Sequence, residues 1–184
     1  MKALLLNGPP RSGKDTIGGI LSKAIPGGVL RKFATPIVVF MKNEFGIDMA
    51  AVEKDEPHQN LLGQTPRQVA IQYSEGFCKP LWGNCFFGHA AFHMLRDVEA
   101  GGVPIFTDSG FINEAEALLE HGMKLLQIRL QRPGCSYDGD SRSTWDHPSI
   151  EHLTFFNDPV GVDNLIKKIH RDLMPRIVKW LTQS

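Results

Sequence analysis

Near its N-terminus the chain reads Leu4-Leu5-Leu6-Asn7-Gly8-Pro9-Pro10-Arg11-Ser12-Gly13-Lys14-Asp15-Thr16. An apolar run gives way to a glycine-bounded loop and then to a helix start. Gly8, Gly13 and Lys14 fit the phosphate-binding pattern G-x-x-x-x-G-K-[ST] at every position but the last. The spacing has a chemical reason. Backbone N–H groups must turn inward around an anion, and Gly13 admits close approach because it has no Cβ. The following helix offers unpaired N–H groups and a positive dipole end to the same anion. Lys14 then reaches the outer phosphates. Asp15 stands where a hydroxyl is usual, and Thr16 supplies a hydroxyl one residue later. A carboxylate is a hard-oxygen ligand suited to Mg²⁺, directly or through water, and it also suits a first helical turn. Thr16 is placed to bond an α-phosphate.

Further charged residues point to the same chemistry. Asp108 ends the apolar run Val103-Pro104-Ile105-Phe106-Thr107, the arrangement that holds Mg²⁺ or its water shell beside phosphates. It also suits a turn-capping role before Ser109-Gly110. Arg129, Arg132 and Arg142 lie in or beside a polar stretch rich in Gly, Ser and charge. Guanidinium donors on such a lid would stabilise charge on a transferring phosphoryl group and expel water. Arg67 and Lys79 are candidates to neutralise an acceptor phosphate, and Trp82, Phe77 or Phe87 to stack a base. Trp82 serves equally well as core, and Arg67 as a surface ion-pair partner. His89 and His93 have i, i+4 spacing but no third ligand by motif, so they read as packing or surface residues. No nucleophile elbow and no Cys/His dyad is present.

These residues need a scaffold. Lys2–Asn7 reads as a strand buried on both faces, and Asp15 to Ala24 as a helix whose Gly18 and Gly19 suggest close packing on a sheet. A second strand is expected over Val29–Phe33 and a helix over Pro36–Phe45. Residues 48–63 read as an irregular surface excursion. Thr65-Pro66-Arg67-Gln68 has the cap, proline and capping-box glutamine of a helix start, with an end near Gly76. Another helix is expected over 84–100, then a strand over Val103–Thr107. A helix capped by Asn113 should run to about His121, followed by a strand over Lys124–Leu130. Residues 132–148 read as a mobile loop. A short strand over Leu153–Phe156 and a long helix over Gly161–Leu181, kinked at Pro175, complete the chain. Apolar strands alternating with helices predict a five-stranded parallel α/β sheet flanked by helices. Right-handed crossovers put the phosphate loop and Asp108 at one edge of that sheet.

Composition sets the bounds. The 184 residues suffice for one domain with a proper core, and 42% apolar with 22% charged residues is ordinary for a globular protein. Zero formal net charge argues against a nucleic-acid-binding surface. The three cysteines, without metal-type spacing, suggest reduced thiols in the cytoplasm. The first apolar run is too short for a signal peptide or a membrane span, so no membrane partner is expected. Homodimer formation is left open.

The loop Gly8-x-x-Arg11-Ser12-Gly13-Lys14-Asp15-Thr16 resembles that of phage deoxynucleoside monophosphate kinases, in which Gly-Lys-Asp-Thr replaces the common Gly-Lys-Ser/Thr. Phe33-Ala34-Thr35-Pro36, Thr65-Pro66-Arg67, Asp108 with Glu114, Arg132-Pro133-Gly134 and Phe156-Asn157-Asp158 agree with that family in order. The resemblance implies a P-loop NTPase fold of the adenylate-kinase-like type, one domain over 1–184 with an acceptor-binding helical insertion at 34–102 and a lid at 131–148. It implies transfer of the γ-phosphate of ATP, with Mg²⁺, to a deoxynucleoside 5′-monophosphate. Gly8, Arg11, Ser12, Gly13, Lys14, Asp15 and Thr16 would bind ATP. Arg132 and Arg142 would contact the transferring phosphates, and Arg67 and Lys79 the acceptor. One departure stands out: members often carry Asp-x-Arg after the third strand, where this chain has Asp108-Ser109-Gly110. An acceptor contact is then missing or supplied by Lys79. Two other readings stay open: a P-loop kinase for another small phosphorylated acceptor, as in animal-type phosphomevalonate kinases, and a nucleotide-binding protein without catalysis.

Overall fold

The structure, a computed structural model, describes residues 1–158 and 161–183. Five strands, β1 (Lys2–Asn7), β2 (Gly28–Arg31), β3 (Val103–Phe106), β4 (Lys124–Gln131) and β5 (Glu151–Phe156), form one parallel sheet in the order β2-β3-β1-β4-β5. All four pairings are parallel, as the apolar strands predicted. The central strand explains the layers on either side. Side chains alternate across a strand, so Leu4 and Leu6 enter one core and Ala3 and Leu5 the other. The first core packs α1 (Lys14–Ala24) and the C-terminal helical segment onto the sheet through Ile17, Leu21, Ile169, Leu173 and Ile177. The second packs the helices that follow β2 and β3 onto the opposite face, through Phe87, Ala91, Ala115 and Leu118. β1 lies between β3 and β4; its own connection runs through α1 towards β2, and the chain later crosses past it from β3 to β4 on the other face. The crevice at its carboxyl end is the switch point where such sheets bind ligands.

The stretch between β2 and β3 is helical. It holds α2 (Thr35–Phe45), a 3₁₀ turn at Gln59–Leu61, α3 (Pro66–Ile71), α4 (Lys79–Trp82), α5 (Phe86–His93) and a second 3₁₀ turn at Met94–Asp97. Thr65 and Gln68 make the expected capping box. The helix does not stop near Gly76, however. A π-helical stretch, Gln72–Cys78, joins α3 to α4, and the chain leaves the helix only at Gly83. Tertiary packing outweighs the helix-interior glycine, which costs only about 1 kcal/mol. Cys78 is fully buried, and Tyr73 stacks on Phe40 at 3.9 Å.

The last helix shows the same device. α7 (Val162–Lys168) passes through π-helical Ile169–Leu173 into α8 (Met174–Thr182). Both wide turns end on an i→i−5 bond, Lys79 N to Ser74 O and Met174 N to Ile169 O, immediately before Pro80 and Pro175. A proline that cannot donate is thereby taken into a continuous helix by a local change of register.

Other boundaries differ modestly. β2 ends at Arg31, and the expected 84–100 helix is α5 followed by the second 3₁₀ turn. β5 starts at Glu151, and α6 (Ile112–Glu120) begins one residue before Asn113. Asn113 is not its cap. Glu114 Oε2 accepts from the N–H groups of Gly110 and Phe111 instead, at 3.4 and 3.3 Å.

The two helix glycines of α1 separate cleanly. A Cβ on Gly18 would overlap Thr107 Cγ2 and crowd Leu30 and Leu6 at 3.3 Å, whereas one on Gly19 meets nothing within 4 Å. Urea denaturation should therefore find Gly18→Ala destabilising by roughly 1–3 kcal/mol through overpacking. Gly19→Ala should be neutral or stabilising by up to about 1 kcal/mol. Equal effects would contradict this packing of α1.

Candidate active site

The loop Gly8–Gly13 leaves β1 and turns into α1 through Gly13, whose φ of 93° lies in the left-handed region. A Cβ there would overlap Asn157 Nδ2. That amide donates to Ser12 O at 2.8 Å, so the residue after β5 holds the loop from behind. Asn157 is 3% exposed, and the sequence reading gave it no role. What signalled it was its place in Phe156-Asn157-Asp158, a segment of the family resemblance just past a strand end.

Lys14 Nζ folds back over the loop and donates to Gly8 O and Pro9 O at 2.6 and 2.7 Å. Burial, with Arg142 acting in the same direction, lowers its pKa to about 8 against the opposing pull of Asp15, Asp140 and Asp108. Arg142 therefore lies within electrostatic reach of the loop lysine. Ser12 Oγ is buried inside the loop without a hydrogen-bond partner among the described residues.

Asp15 is largely exposed. Its Oδ1 accepts from Thr107 Oγ1 at 2.9 Å and pairs with Lys32 at 2.9 Å. Desolvation works against its ionisation, but the bonds from Lys32 and Thr107 prevail and hold the carboxyl below its ordinary range. Asp108 does stand at the end of β3, and it has an additional structural task. Its two oxygens accept from Phe33 N and Ala34 N at 2.9 and 3.0 Å, closing the turn after β2. Burial raises its pKa against those bonds.

Two cavities flank the loop. One, of about 410 Å³, is lined by Pro9, Arg132, Tyr137, Thr144, Phe156 and Asp158 among others. Arg132 Nη1 donates to Arg11 O at 3.2 Å at its edge. The other, of about 350 Å³, lies between β3, α2, α5 and the start of α6. Phe87, Phe111, Asn84, Asn113, Lys79, Asp108, Glu114 and Arg142 line it. Both volumes are in the range of small-molecule sites. Lys79 pairs with Glu75 at 2.6 Å and sits 4.4 Å from the Phe111 ring centre.

Two proposed acceptor residues stand elsewhere. Arg67 is paired with Asp55 and does not line either cavity, although Arg142 is close enough to oppose its ionisation. Trp82 is 52% exposed and continues an aromatic ladder between Phe77 and Phe86, outside both cavity walls. Of the rings offered for base stacking, Phe87 reaches the second cavity, where Phe111 lines it too.

The segment after β4 is only partly free. Asn7, 1% exposed at the end of β1, donates to Ser109 O and Ser143 O, each at 3.0 Å, and accepts from Tyr137 Oη at 3.1 Å. Trp145 O accepts from Gln127 and Arg129 on β4. The expected mobile loop at 132–148 is thus tied to the sheet over its second half. Its polar composition could not show these bonds, because their partners are distant in the chain.

The fold and loop together define a parallel α/β protein with a glycine-bounded loop, of the phosphate-binding sequence pattern, at the exit of its central strand. Among solved structures, a thymidylate kinase from Candida albicans is similar to it at 14% identity, with 95% of this chain and 92% of that chain covered and a TM-score of 0.42. No family model and no curated protein matches the chain. No helix among the described residues is long and apolar enough to cross a membrane.

Glu114 allows a direct check of the second cavity's electrostatics. Burial, reinforced by Asp108, pushes its pKa from 4.5 up to about 8. The folded state thus holds a proton that the unfolded chain releases above pH 4.5, and stability must fall as pH rises through that window to about 8. Glu114→Gln removes this term. The variant's melting temperature should gain on the wild type as pH rises from 4.5 to 8 and level off above. A pH-independent difference would contradict the assignment.

Proposed function

We propose that the chain is an ATP-dependent kinase acting on a nucleoside 5′-monophosphate, with a deoxynucleotide as the acceptor. The observation that carries this reading is the second cavity. Its lining combines the rings of Phe87 and Phe111 with the amides of Asn84 and Asn113 and the cations of Lys79 and Arg142. A wall of rings and amides suits a base, and the cations suit its phosphate. A purely basic pocket would have favoured a non-nucleotide acceptor.

In this reading the triphosphate of ATP lies on the loop of Gly8, Arg11, Ser12 and Gly13 and at the N-terminus of α1. Its nucleoside enters the cavity beside Arg132, Phe156 and Asp158. Lys14 exchanges its two carbonyl partners for phosphate oxygens, and Thr16 bonds the α-phosphate. The acceptor's phosphate oxygen attacks the γ-phosphorus in line, the bond to the β-phosphate oxygen breaks, and ADP and a nucleoside diphosphate result. No covalent enzyme intermediate is needed. Lys14, Arg142 and Arg132 stabilise charge on the transferred group, which is where such catalysis concentrates its effect.

The residues present fit Mg²⁺ of the substrate-bound kind. Such an ion takes one or two carboxylates, water and phosphate oxygens rather than a cage of protein ligands. Asp15 is exposed beside Lys14 and would hold the ion directly or through water. Asp108 has both oxygens engaged by N–H groups and would act through water. Among the described residues no group of three or more His, Cys, Asp or Glu is placed to hold a metal. When bound, the ion neutralises charge on the β- and γ-phosphates.

ADP release from Mg-ATP, measured with each deoxy- and ribonucleoside monophosphate in turn, tests the proposal. One strong deoxynucleotide responder is expected. Lys14→Ala should lower its turnover by on the order of 10²-fold or more, by analogy with loss of one oxyanion donor. Silence across the panel with ATP still bound, or near-normal turnover in Lys14→Ala, would overturn it.

A further inference from the structure

Gly110 and Arg142 meet in an unusual way. A Cβ on Gly110 would overlap the Cγ and Cδ of Arg142 and lie 2.8 Å from its Cβ. The glycine is not required by backbone conformation, since Gly110 is absent from the positive-φ glycines. What its missing side chain provides is room for the arginine stem. Asp140 supplies the second constraint. Its Oδ1 accepts from Arg142 N at 2.9 Å and from Arg142 Nε at 2.8 Å, and its Oδ2 accepts from Nη2. Those bonds from Arg142 hold the Asp140 carboxyl down at about 2. The chain on either side is pinned as well: Ser143 N donates to Gly110 O at 3.3 Å, and Asn7 holds Ser143 O and Ser109 O together.

We infer that Gly110 and Asp140 are positioning residues, which lock Arg142 on the acceptor cavity wall, ahead of ligand binding, to receive the phosphoryl group passing between the two nucleotides. The inference rests on the kinase reading above. Nη1 of Arg142 has no protein hydrogen-bond partner among the described residues, so one edge of the guanidinium is left for a ligand. The side chain lies between the loop and the acceptor side, within electrostatic reach of both Lys14 and Arg67. Asp140 offsets the mutual repulsion of these cations until phosphates arrive. Because the arginine is ordered during folding, its conformational entropy is not lost again in the transition state. The absence of an arginine at position 110 is then no deficit, because the space holds an arginine that enters from another segment.

The test is a kinetic cycle of Gly110→Ala, Arg142→Ala and the double variant. Gly110→Ala should fold and still bind ATP, but it has to displace the whole Arg142 stem, the Cβ included, and with it the backbone that carries the arginine. Its kcat/KM for the acceptor should fall tenfold or more, and the double variant should be no worse than Arg142→Ala alone. Wild-type acceptor kinetics in Gly110→Ala, or multiplying effects in the double variant, would overturn the inference. A second measurement separates it from the kinase reading. Hydrogen exchange at the Arg142 Nε–H, read by nitrogen-resolved NMR on ligand-free protein, should be slow in the wild type and fast in Gly110→Ala and Asp140→Asn. Equal exchange in all three overturns the seat whatever the enzyme does. Slow exchange with no ADP release for any acceptor overturns the kinase reading and leaves the seat intact.

Discussion

The arrangement of the site depends on one buried amide. Asn7 closes the central strand, where the backbone must leave the sheet and begin the phosphate loop. There it is shielded from water, and a buried amide is costly unless it is hydrogen-bonded. Its Nδ2 is satisfied by Ser109 O and Ser143 O, and its Oδ1 by Tyr137 Oη. These partners come from two connections that have no reason of their own to meet. Satisfying one side chain thus brings the turn after β3 and the segment after β4 to the exit of β1. Asn157 repeats the principle on the other side, where it holds Ser12 O and limits position 13 to a glycine.

Charge around the loop is paired internally. Lys14 lies on carbonyl oxygens, Arg142 on Asp140, Lys79 on Glu75, Arg67 on Asp55 and Lys32 on Asp15. The pairs differ in what they can give up. Arg67–Asp55 is exposed on both sides and contributes little to stability. Arg142–Asp140 is more enclosed, with side-chain exposures of 29% and 15%. A multiply charged substrate would therefore replace carbonyl and carboxylate partners rather than meet bare cations. The acids of the second cavity add the opposite pressure. Desolvation pushes the pKa of buried Glu114 up to about 8 and raises that of half-buried Asp108, which weakens the negative charge on this wall.

Much of the scaffold was legible in the chain. The uninterrupted apolar runs of β1 and β3 marked strands buried on both faces. Gly8, Gly13 and Lys14 marked the loop, and Thr65 with Gln68 marked a helix start. The misreadings have specific causes. Asn113 looked like a cap because its type is right, but Glu114 could reach two N–H groups only after Gly110 and Phe111 had been placed. Gly76 looked like a helix end because glycine often is one, but the buried Cys78 and the Phe40–Tyr73 stack carry the helix onward. Trp82, Phe77 and Phe87 were alike by type as stacking rings, and only the fold placed Phe87 of the three in the cavity wall, beside Phe111.

The sequence by itself determined the parallel α/β layering, the glycine-bounded loop and the chemical types gathered around it. Periodicity, propensity and loop spacing act over a few residues and are written locally. The tertiary structure alone decided which residues converge. Asn157 reaches Ser12 across 145 positions, Asn7 reaches Ser143 across 136, and Arg142 occupies the space that Gly110 leaves open. Such contacts follow from strand order and from the need to satisfy buried polar groups, and no local pattern encodes either one.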